Sequence, residues 1–195
     1  MSSNLILISG PAGVGKTTIC DSLINEFHPD IQRVITVTTR VCRANENNGV
    51  DYIFITVDEF KERVEQNEFL EYEEIHGNLY GTPKSSLCLG NDSIYHLINI
   101  DVNGARTIQK KVSEYDDMEV NLLSIFIKPS SLEDLRVRMN ARGTERQDEI
   151  DRRLQTAISE IAQISHFDLV IDSKTKDEDY REVKKEFLKF RSNLF

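Results

Sequence analysis

The chain has 195 residues, 24 Lys+Arg against 33 Asp+Glu for a net charge of −9, and is 39% hydrophobic and 29% charged. This length suits one compact domain with a substantial core, and no apolar run approaches the roughly 20 residues that span a bilayer, so neither a membrane span nor a signal peptide is expected. A pI near 5.0 argues against a bulk nucleic-acid binder, which needs many cations to displace counterions. Cys20, Cys42 and Cys88 form neither a CxxC pair nor an even set, which predicts reduced thiols and a cytoplasmic protein.

In chain order, Asn4 to Ser9 predicts a strand, Gly10 to Gly15 a glycine-dense loop, and Lys16 to Phe27 a helix with Ile19, Leu23 and Phe27 four apart. Val34 to Thr39 predicts a second strand, Arg40 to Gly49 a polar loop, and Tyr52 to Val57 an extended segment. Asp58 is a candidate N-cap for a helix over Glu59 to Gln66, followed by an acidic Glu68 to Glu74 stretch and a turn-rich Gly77 to Pro83. Ile94 to Asp101 predicts a buried strand, Asn103 to Val112 a helix, and Asn121 to Lys128 a strand that Pro129 stops. Ser131, three residues before Asp134, resembles the start of a capped helix, and Gly143 interrupts it. Asp148 to Ile164 predicts a further helix, Leu169 to Ile171 a last strand, and the remainder a basic helix. Alternating β and α units imply an α/β protein with a mainly parallel sheet flanked by helices. The expected division is a core over 1–33, 94–130 and 165–195, an inserted lobe over about 34–93 and a helical lid over about 131–160.

Gly10-Pro11-Ala12-Gly13-Val14-Gly15-Lys16-Thr17 fits GxxxxGK[ST] between a predicted strand and helix, the context this phosphate-binding loop requires. Its glycines let successive N–H groups converge on phosphate oxygens at a helix N-terminus. Lys16 is expected to reach the β- and γ-phosphates and Thr17 to ligate Mg²⁺, with Thr18 completing the triphosphate site. The loop alone does not separate a kinase from another nucleotide triphosphatase.

A second, acceptor site is expected from the rest of the chain. Arg40 and Arg43, three apart in a loop, can clamp a phosphate with planar guanidinium forks. Tyr52 and Tyr80 can each donate a phenolic hydroxyl to the same group, and the Glu71 carboxylate can accept two hydrogen bonds from adjacent N–H groups such as guanine N1 and N2. Arg136, Arg138, Arg142, Arg146, Arg152 and Arg153 crowd the chain around Gly143. Arg136, Arg146 and Arg152 are expected in surface ion pairs.

Together these segments resemble the guanylate kinases, P-loop nucleoside monophosphate kinases. The resemblance runs through Ser9-Gly10-Pro11, Thr38-Thr39-Arg40 with Arg43, Glu46, Gly49 and Tyr52, and Glu68-Phe69-Leu70-Glu71. It continues through Gly77-Asn78-Leu79-Tyr80-Gly81-Thr82, Ile100-Asp101 with Gly104, Arg142-Gly143-Thr144-Glu145 and Arg152-Arg153-Leu154. It implies a P-loop kinase fold with an inserted GMP-binding lobe and a helical lid, and transfer of the γ-phosphate of ATP to GMP with Mg²⁺. It also implies that Arg40, Arg43, Tyr52 and Tyr80 hold the GMP phosphate, and that Thr36, Glu71, Thr82 and Asp101 recognise guanine or its surroundings. Lys16, Arg138, Arg142 and Arg153 are the implied catalytic cations, the three arginines on the lid. The expected partners are ATP and GMP, with no nucleic acid and no membrane, for a monomer or homodimer.

The sequence departs from the family pattern at several positions. Asn99 stands where an aspartate is usual, Val37 replaces a small hydroxyl, Asn45 a glycine and Asn103 a glutamine, and Ser85 to Ser93 is shorter and more polar than the usual helix. Ile171-Asp172-Ser173 differs from the usual Asn-Asp pair on the adenine side. The rival reading is a guanylate-kinase-like module that binds a phosphorylated peptide without catalysis; the intact Lys16 and Thr17 speak against it.

Overall fold

The computed structural model describes residues 3–44, 46–86, 94–114, 120–143 and 146–194. Among them, five parallel strands form the main sheet in the order β2-β7-β1-β8-β9. These are β1 (Ser3–Ser9), β2 (Ile31–Arg33), β7 (Tyr95–Asn99), β8 (Val120–Lys128) and β9 (Leu169–Asp172). The run Leu5 to Ile8 is apolar throughout because β1 is covered on both faces. Alternation divides it: Ile6 and Ile8 pack with Ile19 and Leu23 of α1 (Lys16–Phe27) and with Val183 and Phe187 of α6 (Lys176–Ser192). Leu5 and Leu7 pack on the other face with Val102, Ala105 and Ile108 of α3 (Val102–Glu114).

A second sheet, in the order β4-β3-β6-β5, is built from β3 (Val37–Thr38), β4 (Ile53–Phe54), β5 (Phe69–Ile75) and β6 (Asn78–Pro83). Its own small core is Val37, Phe60 and Phe69, where the two rings stack with centroids 4.5 Å apart. Phe60 comes from α2 (Val57–Glu65). The helices α4 (Leu132–Arg142) and α5 (Gln147–Ile161) pack on the main sheet through Leu135, Met139, Ile150, Leu154 and Ala157. Ser131 caps α4 by accepting from the N–H of Asp134 at 3.0 Å, and Gly143 ends the helix in the left-handed region at φ 64°.

The structure corrects several expected elements. Of the strand expected over Val34 to Thr39 only β3 (Val37–Thr38) forms; the main-sheet strand β2 precedes it at Ile31–Arg33, and the chain leaves that sheet after Val34, whose N–H still donates to Leu97 O at 2.9 Å. Of the extended segment Ile53–Phe54 forms a strand and Tyr52 an isolated bridge to Asn48. The cap of α2 is Thr56 rather than Asp58, since Thr56 and Glu59 satisfy one another's backbone N–H groups in a capping box. Gly77 to Pro83, expected as turns, is mostly strand β6, joined to β5 by the two-residue turn His76-Gly77 with φ of 51° and 78°. Two positive φ values match the twist of a hairpin, and glycine supplies one without strain. The helix expected to Ile164 ends at Ile161, and Ile164–His166 is a separate 3₁₀ turn. Lys84–Ser86 forms a 3₁₀ turn; 87–93 and the departure at Asn45 lie outside the described residues. No helix among the described residues is long and apolar enough to cross a membrane.

Candidate active site

The GxxxxGK[ST] loop joins β1, the middle strand of the main sheet, to α1, so it lies at the carboxyl end of the strands where the order switches direction. Gly10 has φ 136°, and a Cβ there would lie 2.4 Å from Ile127 O, so only glycine fits. Gly15 provides no side-chain cap to α1, and the first turn carries no acid, which leaves the positive end of this helix to an anion. The Lys16 ammonium curls over the loop and donates to the carbonyls of Gly10 and, at 3.1 Å, of Pro11. Gly10, Ala12, Gly13, Gly15, Lys16 and Thr17 line an open cleft. Val14 is wholly buried beneath it, and Thr18 faces an adjoining cavity shared with Arg43.

Across the cleft, Arg40, Arg43, Tyr52 and Tyr80 face the loop. The two arginines are held by Glu46, whose two carboxylate oxygens accept from Arg40 Nη2 at 2.8 and 2.9 Å while Oε2 also accepts the Arg43 N–H at 2.9 Å. Burial opposes ionisation of Glu46, but the Arg40 hydrogen bond, the Arg43 N–H and both guanidinium charges outweigh it and hold its carboxyl below the ordinary range. The Arg40 guanidinium lies 5.5 Å from the centroid of the Tyr52 ring, and Tyr52 meets Tyr80 edge-on at 6.2 Å. Burial raises the Tyr52 phenol above its usual range, which keeps it a hydrogen-bond donor.

Glu71 and Thr82 are paired across β5 and β6, and the Thr82 hydroxyl donates to Glu71 Oε1. Thr82 is fully buried behind Glu71, so it shapes the carboxylate rather than lining the cleft. Burial is the main reason the Glu71 carboxyl is pushed up to about 7; the Asp101 and Glu73 charges add to it and the Thr82 hydrogen bond opposes it. Asp101, just beyond β7, spends Oδ1 on the N–H groups of Asn103 at 2.8 Å and Gly104 at 3.1 Å, capping α3. Thr36 lines the same cleft.

Of the arginines expected on a lid, Arg153 reaches the cleft and is ion-paired with Glu149. Arg138 stands apart from the other expected residues: it donates to Val14 O at 3.0 Å and Lys174 O at 3.3 Å, pairs with Asp134 at 2.9 Å, and thus braces the phosphate loop from outside the cleft. Arg142 is the last residue of α4, and its side chain lies outside the described residues. Arg136, Arg146 and Arg152 form the expected surface pairs, with Asp151 at 2.8 Å and with Asp148 at 3.4 and 3.3 Å.

Sequence reasoning assigned no site role to Glu46, Thr156 or Glu160, although the last two line the cleft. The i, i+3, i+6 spacing of Arg40, Arg43 and Glu46 carried a signal for the first. Arg153, Thr156 and Glu160 recur at the 3–4 residue period of one helix face, a signal masked by the apolar stripe of the same helix. Cys20 is buried, which pushes its thiol up to about 12, and Cys42 is exposed; Cys88 lies outside the described residues.

A family model described as guanylate kinase matches residues 2–189. A guanylate kinase of Prochlorococcus marinus is 40% identical over 185 residues, covering 93% of this chain and 95% of that protein. One of Clostridioides difficile is 40% identical over 171 residues, covering 86% and 78%. The crystal structure of guanylate kinase from Anaplasma phagocytophilum superposes with a TM-score of 0.75 at 28% identity, covering 98% of this chain and 86% of that one. Matched over nearly its whole length, and with the phosphate loop and the paired arginines facing each other across one cleft, the chain belongs to the guanylate kinase family.

Proposed function

We propose that this chain transfers the γ-phosphate of ATP to GMP, giving ADP and GDP, in purine nucleotide metabolism. The observation that carries the reading is the convergence in one cleft of Lys16 and Thr17 with Arg40, Arg43 and Glu71: a triphosphate loop, a phosphate clamp and a carboxylate able to read guanine. ATP lies along the loop with its phosphates at the start of α1, and the GMP phosphate sits between Arg40, Arg43, Tyr52 and Tyr80. Glu71, shaped by Thr82, accepts from guanine N1 and N2, with Thr36 and Asp101 beside it.

Among the described residues no group of three or more His, Cys, Asp or Glu could hold a metal. Mg²⁺ fits such a site, since it takes one or two protein oxygens and completes its octahedron with water and nucleotide phosphates. Thr17 would hold it, and when bound it neutralises charge on the phosphates. A GMP phosphate oxygen, already anionic, forms the new bond to the γ-phosphorus, the bond to the β-bridging oxygen breaks, and ADP leaves with its electron pair, so no strong general base is required. Lys16 and Arg153 stabilise the spreading charge, an electrostatic contribution aimed at the transition state.

Residues 34–93 act as the GMP-binding lobe and 131–160 as the lid, which brings Arg142 and Arg153 over the phosphates and expels water when both nucleotides are bound. Arg138 serves by holding the phosphate loop in shape. The cytoplasm and a monomeric or homodimeric state suit this role. Incubation with γ-labelled ATP and GMP tests the reading: label recovered in GDP supports it, and label released only as inorganic phosphate rejects it.

A further inference from the structure

Glu160 is the acid of this cleft that the reaction as described leaves unused. It sits at the C-terminal end of α5 on the face that also presents Arg153 and Thr156, half-buried, and lines the same cavity as Lys16, Glu71 and Asp101. Its electrostatic neighbours include Lys16 and Asp101, and Asp101 also neighbours Glu71. A carboxylate facing two polyanionic nucleotides is repulsive unless it meets neutral O–H or N–H donors. An acceptor nucleotide has to stretch from the base reader Glu71 to the point where Lys16 presents the transferring phosphate, and its ribose occupies the span between. Glu160 lines the same cleft from the α5 side.

We propose that Glu160 reads the ribose of the acceptor nucleotide, its carboxylate accepting hydrogen bonds from the vicinal 2′- and 3′-hydroxyls. The chemistry is that by which an acidic side chain selects a ribose in dinucleotide-binding folds. Glu160 is thereby a specificity-determining residue, and it ties closure of α5 to a complete ribonucleotide. The inference rests on the assignment of GMP as acceptor.

The test compares binding of GMP, dGMP and 3′-deoxy-GMP by calorimetry without ATP or Mg²⁺, and kcat/KM for the same acceptors, in wild type, Glu160→Gln and Glu160→Ala. A hydrogen bond to a charged acceptor corresponds to about 10- to 100-fold. The expected result is at least a tenfold preference of wild type for GMP over dGMP that falls towards unity in Glu160→Ala and partly in Glu160→Gln, while discrimination against AMP persists. Equal binding of GMP and both deoxy analogues by wild type overturns this inference alone, as does an equal loss for all three acceptors in both variants. A raised Mg²⁺ requirement with the GMP to dGMP ratio intact also overturns it, in favour of a metal-water role. Absence of GMP binding by wild type overturns the acceptor assignment as well. The near-isosteric Glu160→Gln keeps the comparison valid if Glu160→Ala fails to fold.

Discussion

Asn99, the last residue of β7, donates its side-chain amide to the hydroxyl of Thr17 at 3.2 Å, joining two residues 82 positions apart. An amide donor occupies a lone pair of Thr17, whereas a carboxylate would accept the hydroxyl proton and leave the lone pairs to a cation. Asn99→Asp is therefore expected to lower the Mg²⁺ concentration for half-maximal rate by about 2- to 10-fold, the net worth of one hydrogen bond. A magnesium titration at fixed ATP measures this, and an unchanged midpoint contradicts the role given to the pair.

In its proposed role Glu71 needs its charge to accept two hydrogen bonds from guanine, yet burial pushes its carboxyl up to about 7. GMP affinity is thus expected to fall by about tenfold from pH 8 to pH 6, as one proton comes to compete with the base. The GMP phosphate also titrates near pH 6, so the informative quantity is the difference between wild type and Glu71→Gln. Calorimetry should show weaker GMP binding and a flatter pH profile in the variant; parallel profiles would remove Glu71 from base recognition.

The same burial makes a stability prediction for the nucleotide-free protein. Glu71, facing Thr82, Asp101 and Glu73, and Glu160, facing Lys16 and Asp101, are both raised from 4.5 to about 7. Between those values the folded state holds more protons than the unfolded one, so their contribution is full below about pH 4.5 and is lost as pH rises through 7. The loss is on the order of 1–3 kcal/mol per group. Glu71→Gln should therefore raise the melting temperature at pH 8 while impairing GMP recognition, the trade-off of a site that stores unfavourable charge. Melting curves at pH 5.5 and 8 decide it: a variant no more stable than wild type at pH 8 contradicts the account.

Arg138 and Arg153 should separate by phenotype. Arg138 satisfies the carbonyls of Val14 and Lys174 outside the cleft, while Arg153 faces into it. Arg138→Ala is expected to cost about 1–3 kcal/mol of stability along with activity, because a buried carbonyl loses its donor. Arg153→Ala should mainly lower kcat. Chemical denaturation beside kinetics makes the comparison; a fully stable Arg138→Ala with lost kcat would return Arg138 to the reacting phosphates.

Where function constrained the backbone locally, the sequence was legible. The glycines from Gly10 to Gly15 marked the end of β1 and the start of α1, because the loop needs positive φ at Gly10, Gly13 and Gly15, which glycine adopts without strain. Strand β6 was hidden, since Gly77, Asn78, Gly81 and Pro83 read as turn formers, and only pairing with β5 and β3 makes them a strand. The contacts of Glu46, Asn99 and Glu160 escaped for a related reason. Their chemistry depends on partners brought together by the fold, whereas Arg40, Arg43 and Glu71 stood out as candidates by residue type and by the family resemblance.

The most direct test is a coupled assay of ADP release from ATP and Mg²⁺ with GMP, AMP, CMP and UMP offered separately, beside Lys16→Ala as control. The account predicts turnover with GMP far above the other three, abolished in Lys16→Ala. No turnover with GMP despite its binding, or equal turnover with AMP, would contradict it.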